Sequence, residues 1–170
     1  MNTGMTLPEA LVSVALLGIL TSLAMPAAHD GLARQRLEAA GRQLGMGLER
    51  ARAQAEQQGS PCGISLGPQG WSAPADNALP ACLGEELEPL RTGIGIADDL
   101  KLRHTFPAVL RISANGLVLD GGTAVLSDSG TDLQRCLVMA PPLGVVRIGR
   151  YHGKTDAEPN SAACLPDPTL

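Results

Sequence analysis

Hydrophobic and polar positions divide the chain into stretches of different period. Between Met1 and Met25 the only charged side chain is Glu9, and residues 10–28 (ALVSVALLGILTSLAMPAA) carry none. Those 19 residues make roughly 28 Å of helix, close to a bilayer core of about 30 Å. Residues 30–58 then change pattern. Leu37, Ala40, Leu44, Leu48, Ala51 and Ala55 recur at helical spacing and form one apolar stripe. Arg34, Arg36, Arg42, Arg50 and Arg52 lie mostly off that stripe, on faces expected to be solvated. The stripe is rich in small residues, which lets a helix lie close on a sheet. Gly59 followed by Pro61 ends it. The pattern predicts one long helix, apolar all round in its first half and amphipathic in its second.

Beyond residue 60 the period is that of strands. Residues 108–113 are a strand candidate. Asn115-Gly116 makes a tight hairpin turn into residues 117–119. Asp120-Gly121-Gly122 turns again into residues 123–126. Residues 136–139 and 144–148 form a last pair, with Pro141-Pro142 in the connection. Residues 100–104 are a weaker strand. Segment 67–98, rich in Gly, Pro and acid, reads as loop with one or two short strands. No repeat of solenoid period occurs.

Composition changes this picture little. The share of hydrophobic residues is 44% and the formal net charge is −4, which exclude a disordered chain. The aromatic residues are Trp71, Phe106 and Tyr151 alone, too few for stacking on single-stranded nucleic acid. A sequence pI near 5.3 is unlike a strongly basic DNA-binding module.

Two other readings of the N-terminus compete with a membrane helix. A buried soluble helix does not need so long an uncharged run at the chain start. A cleaved secretory signal would carry a basic n-region, which Met1-Asn2-Thr3-Gly4 lacks. Glu9 stands where such signals are apolar, and Met25-Pro26-Ala27-Ala28-His29 is a poor small-x-small cleavage site. Glu9 itself is costly in an apolar span, by about 2.5–3.5 kcal/mol on insertion scales, so it needs a partner.

Gly4-Met5-Thr6-Leu7-Pro8-Glu9, followed by an apolar helix, resembles a type IV prepilin N-terminus. The resemblance implies peptidase cleavage between Gly4 and Met5 and N-methylation of Met5. It implies that Glu9, fifth in the mature chain, neutralises an amino terminus during subunit assembly. Pro26 falls where many type IV pilins carry a helix-kinking proline. Met5 stands in place of the usual Phe, and the leader is short and lacks a basic residue. Ala51-Arg52-Ala53-Gln54-Ala55 resembles the Ala-Arg-x-x-Ala signature of the GspH/FimT (FimU) minor pseudopilins. Ile112-Ser113-Ala114-Asn115-Gly116 resembles their Phe-x-Pro-x-Gly strand and turn, with Ile and Ala substituted. Cys136-Leu137-Val138-Met139 and Gly144-Val145-Val146-Arg147 resemble their closing hairpin.

The implied fold class is α+β and pilin-like, a long N-terminal helix packed on an antiparallel β-sheet head. Its parts would be a leader peptide (1–4), a transmembrane and filament-core helix (5–28), an amphipathic helix (29–60) and a periplasmic head (61–170). The implied location is the bacterial inner membrane, single-pass, with incorporation into a filament. Partners would be a prepilin peptidase, other minor and major pilins or pseudopilins, the inner membrane and exoproteins.

Cys62, Cys82, Cys136 and Cys164 all lie beyond the apolar segment, and a pilin-like topology puts them in the periplasm, where disulfides persist. Four cysteines allow three pairings. The local one is expected: Cys62–Cys82 clips the loop after the helix, and Cys136–Cys164 ties the tail to the sheet, as disulfide-bonded C-terminal loops do in many pilins. The alternative, a zinc site, has no C-x-x-C spacing to support it.

Charge is segregated. Residues 1–60 are neutral, 61–100 carry −5, 101–154 carry +4 and 155–170 carry −3. The basic block holds Lys101, Arg103, Arg111, Arg135, Arg147, Arg150 and Lys154. Some FimT-type members bind DNA for uptake through Gly-Arg-x-Arg. Gly144-Val145-Val146-Arg147 and Gly149-Arg150-Tyr151-His152 match it only in part. Arg147, Arg150 and Lys154 are therefore the candidate DNA contacts, against the simpler reading of a solvated sheet edge. His29, His104 and His152 are scattered, and no P-loop, dinucleotide fingerprint or metal-binding helix is present. Glu85-Glu86-Leu87-Glu88 reads as a solvated face, and Asp98-Asp99 is a weak calcium candidate. No catalytic residue, metal or cofactor is assigned. The first expectation is a minor pilin or pseudopilin at the tip of a type II secretion pseudopilus or type IV pilus. The second is a DNA-binding minor pilin acting in natural transformation, and the third a membrane-anchored or secreted periplasmic enzyme.

Overall fold

The computed structural model of the chain describes residues 6–74, 76, 78–83 and 100–167, and for residues 22–28 the helical backbone alone. The expected leader and cleavage site (Gly4, Met5), the Pro26 side chain, the Glu85-Glu86-Glu88 run and Asp98-Asp99 lie outside the described residues. A single helix, α1 (Leu7–Gln58), runs 52 residues, about 78 Å. Thr6 precedes it in extended conformation, and Gly59 closes it at φ 60° with its N–H on the Glu56 carbonyl. That left-handed cap is what glycine supplies without steric cost. Among the described residues no helix is long and apolar enough to cross a membrane. The expected span, residues 5–28, runs partly outside those residues.

Eight strands follow: β1 (Cys62–Gly67), β2 (Gly70–Ser72), β3 (Leu100–His104), β4 (Leu110–Ile112), β5 (Gly122–Asp128), β6 (Gln134–Ala140), β7 (Val145–Tyr151) and β8 (Cys164–Pro166). They form two antiparallel sheets, β2-β1-β4 and β3-β5-β6-β7-β8. The α+β expectation therefore holds as a long helix packed on antiparallel sheet. Two details differ. The return arm at 117–119 is a single bridge, Ile112 to Val118, because its hydrogen bonds are shared between β4 and the Pro142 carbonyl. β1 and β8 were not expected; Gly63 and Pro166 break the alternation by which a strand is recognised.

The stripe on α1 faces the sheets as its spacing required. Leu37, Leu44, Leu48, Ala51 and Ala55 are at most 1% exposed and pack with Ile64, Leu110, Ile112, Leu126 and Leu137. Trp71 docks on the same helix: its Nε1–H donates to the Leu44 carbonyl at 2.8 Å. A Cβ at position 47 would stand 2.4 Å from Trp71 Cδ1, so only glycine at Gly47 leaves room for the indole. A second, smaller core lies on the opposite face of the five-stranded sheet, made of Val125, Cys136, Tyr151 and Cys164. Short loops give the head a polarity along α1. The β5–β6 turn meets the early part through Thr131 and Asp30, and the Asn115-Gly116 turn meets the late part through Arg52.

Candidate functional site

Three parts of the chain carry its chemistry: the exposed first half of α1, the seam between α1 and the head, and the C-terminal tail. In the first part, Glu9 lies in the opening turn, with Oε2 3.5 Å from the Thr6 N–H and 3.4 Å from its hydroxyl. Thr6-x-x-Glu9 is thus also a capping box, a reading the sequence permits and the prepilin resemblance overshadowed. Leu7, Leu11, Val12, Val14, Leu16, Leu17, Ile19 and Leu20 are all more than half exposed. Ala33, 1% exposed, is the first buried residue of α1 among those described.

At the seam, two motifs separated by 64 residues meet: Arg52 Nε donates to the Gly116 carbonyl at 3.0 Å. Ala51 and Ala55, on either side of Arg52, are fully buried against the head. Gly116 sits at φ 69°, and a Cβ there would stand within 3 Å of the Glu56 carboxyl group. The Ala-Arg-x-x-Ala segment is therefore the helix side of a joint whose other side is the hairpin turn. Arg52 is half-buried in that joint rather than on a solvated face. Arg36 likewise turns inward, 3.9 Å from the buried Asp128.

Sequence reasoning missed the strongest polar contact. Arg135, expected on a solvated basic surface, is 5% exposed. Its guanidinium donates to Glu38 of α1, from Nε at 2.7 Å and again from Nη2, and to Asp167 at 2.5 Å from Nη1. Burial pushes the Arg135 pKa down, but the hydrogen bonds it donates to Asp167 and Glu38 outweigh it, and the net shift is upward. Partners 97 and 32 residues away leave no local spacing signal. The basic block is further depleted by Arg111, which forks onto Asp120 at 2.9 and 2.8 Å. Arg103 donates to the Ala157 carbonyl and Arg147 to the Ser161 carbonyl, so both hold the tail.

The candidate DNA contacts do not share a face. Arg147 is opposite Val138, which packs against the smaller core, whereas Arg150 is opposite Arg135, which faces α1. Positions three apart on a strand point to opposite sides. Lys154 is exposed in the segment after β7. The cysteines pair locally, as Cys62–Cys82 and Cys136–Cys164, and no free cysteine remains. Among the described residues no cluster of His, Cys, Asp and Glu could hold a metal ion. The open cleft of about 600 Å³ between the β5–β6 sheet face and the tail is lined by Thr105, Thr123, Val138, Glu158, Asn160 and Ser161.

A long helix seated on an antiparallel head, with its first half uncovered, defines a pilin-like protein. The family model for the type II transport protein GspH matches residues 40–142. The chain belongs to that family, and so to the pseudopilins of type II secretion. The matched range takes in both Arg52 and Gly116, the two sides of the seam joint. No curated protein and no solved structure matches the chain.

Proposed function

We propose that this chain is a minor pseudopilin that primes or caps a periplasmic filament at its tip. Gly4 would be the peptidase cleavage site, Met5 the methylated N-terminus, residues 5–28 the membrane and filament segment, and Glu9 the charge that pairs with an amino terminus. One observation carries the reading: α1 is one continuous helix whose first half leaves its described large apolar side chains, Leu7 to Leu20, exposed, while the apolar stripe of its second half is buried against the head. Such a surface is stable only in lipid or among other helices. In either setting an amino terminus and the Glu9 carboxylate would cancel each other's charge. The work is mechanical: the helix polymerises and the head contacts neighbouring subunits.

Gly4→Val should leave an uncleaved precursor, read by intact mass, and Glu9→Ala should be processed but enter filaments poorly. Normal maturation of the Gly4→Val chain would refute the prepilin assignment.

A further inference from the structure

Large apolar side chains are scarce on the surface of the head's described residues. Among the described residues beyond α1, those left exposed are Leu117, Leu119, Leu143, Val145 and Leu165. Four of the five gather at one corner. The Val118 N–H donates to the Pro142 carbonyl at 3.0 Å, so the arm carrying Leu117 and Leu119 lies against the connection carrying Leu143. Val118, between the two exposed leucines, is fully buried and serves the core. Leu143 and Val145 are 62% and 60% exposed and belong to neither core. Exposed apolar side chains gathered in this way mark a contact surface.

Its position and rim select the occupant. The corner adjoins the Arg52–Gly116 joint, 24 residues along α1 from position 28. That is about 36 Å of helix, well beyond the reach of a bilayer surface at the other end. Arg147 shares the face of β7 that carries Val145 and is exposed, and its bond to the Ser161 carbonyl leaves its charge unneutralised. Arg111, nearby on β4, is already neutralised by Asp120. A symmetric contact between two copies would put two Arg147 charges into one interface, with the nearby Asp120 already paired to Arg111, which opposes self-association. An apolar patch with a carboxylate at its edge is the complement.

We propose that this corner docks the head of a different pseudopilin subunit, one presenting an apolar patch rimmed by acidic side chains. The inference rests on the pseudopilin reading above and assigns that reading its head-to-head surface. The test uses the full chain in cells carrying the secretion system, with p-benzoylphenylalanine replacing Leu143 in one variant and Leu11 in another. The expected result is an adduct from position 143 with another pilin-type subunit, identified by mass spectrometry. Leu119→Asp or Arg147→Glu, placed in the position-143 variant, should lower that adduct by about tenfold. Both exposed substitutions should leave Trp71 emission unchanged. An adduct from 143 with a second copy, a lipid or an exoprotein overturns the proposal, as does no adduct there. If position 11 nevertheless crosslinks to pilin-type subunits, the pseudopilin reading stands without it. Absence of adducts at both positions overturns that reading as well.

Discussion

Alanine at two glycines of the same helix should have opposite effects. In a helix interior with room for a Cβ, Gly→Ala stabilises by about 1 kcal/mol, because glycine loses more backbone entropy on folding. A Cβ at Gly41 meets nothing within 4 Å, so Gly41→Ala should realise most of that gain. At Gly47 the new Cβ would stand 2.4 Å from Trp71 Cδ1 and 3.1 Å from Nε1. The indole must then shift. Its 2.8 Å bond to the Leu44 carbonyl breaks, leaving a buried donor at a cost of about 1–3 kcal/mol. Overpacking adds about 1–3 kcal/mol. These terms outweigh the propensity gain, and Gly47→Ala should destabilise by about 1–5 kcal/mol. Trp71 is the single tryptophan, so its emission reports its own contact with Gly47 and Leu44 directly. Urea unfolding of the full chain in detergent, followed at that emission, should give a raised midpoint for Gly41→Ala. Gly47→Ala should give a lowered midpoint and a red-shifted native spectrum. A Gly47→Ala chain with unshifted emission and at least wild-type stability would refute the packing account.

Other outcomes follow from the polar contacts. Glu38→Gln leaves Arg135 with Asp167 as its remaining carboxylate and should cost about 1–3 kcal/mol, read as a lower urea midpoint; an unchanged midpoint would mean the pair is neutral. Hydrogen bonding to the Arg111 guanidinium holds the Asp120 carboxyl below its usual range. A depressed folded pKa contributes stability present above the unfolded value and lost as pH falls through the folded one. Arg111→Ala should therefore raise the Asp120 midpoint, measured by carboxyl NMR, and flatten the acid limb of the stability curve. Replacing Cys136 and Cys164 together by Ser should cost about 2–4 kcal/mol and loosen the tail, seen as faster hydrogen exchange at 161–166.

The two halves of α1 were legible because each has its own period, and a helix exposes that period wherever the chain lies. Gly59-Ser60-Pro61 ended it for local steric reasons, and the cap forms there. The β5, β6 and β7 strands were legible through short apolar runs between turn residues. β1 was not, since Gly63 lies inside it and its apolar residues face two partners. β8 was not, since a three-residue strand carries no period and depends on the disulfide and on pairing with β7.

What the sequence determined alone is what depends on neighbours along the chain: the uncharged run, the stripe from Leu37 to Ala55, the glycine stop and the hairpin turn. The Gly4–Glu9 motif belongs to the same level. Tertiary structure alone decided which charges are surface and which are structure. Arg135, Arg52 and Arg36 read as solvated by composition, yet each turns towards a partner 64 to 97 residues distant. A guanidinium is buried only where acceptors converge on it, and that convergence comes from the folding of distant segments onto one helix.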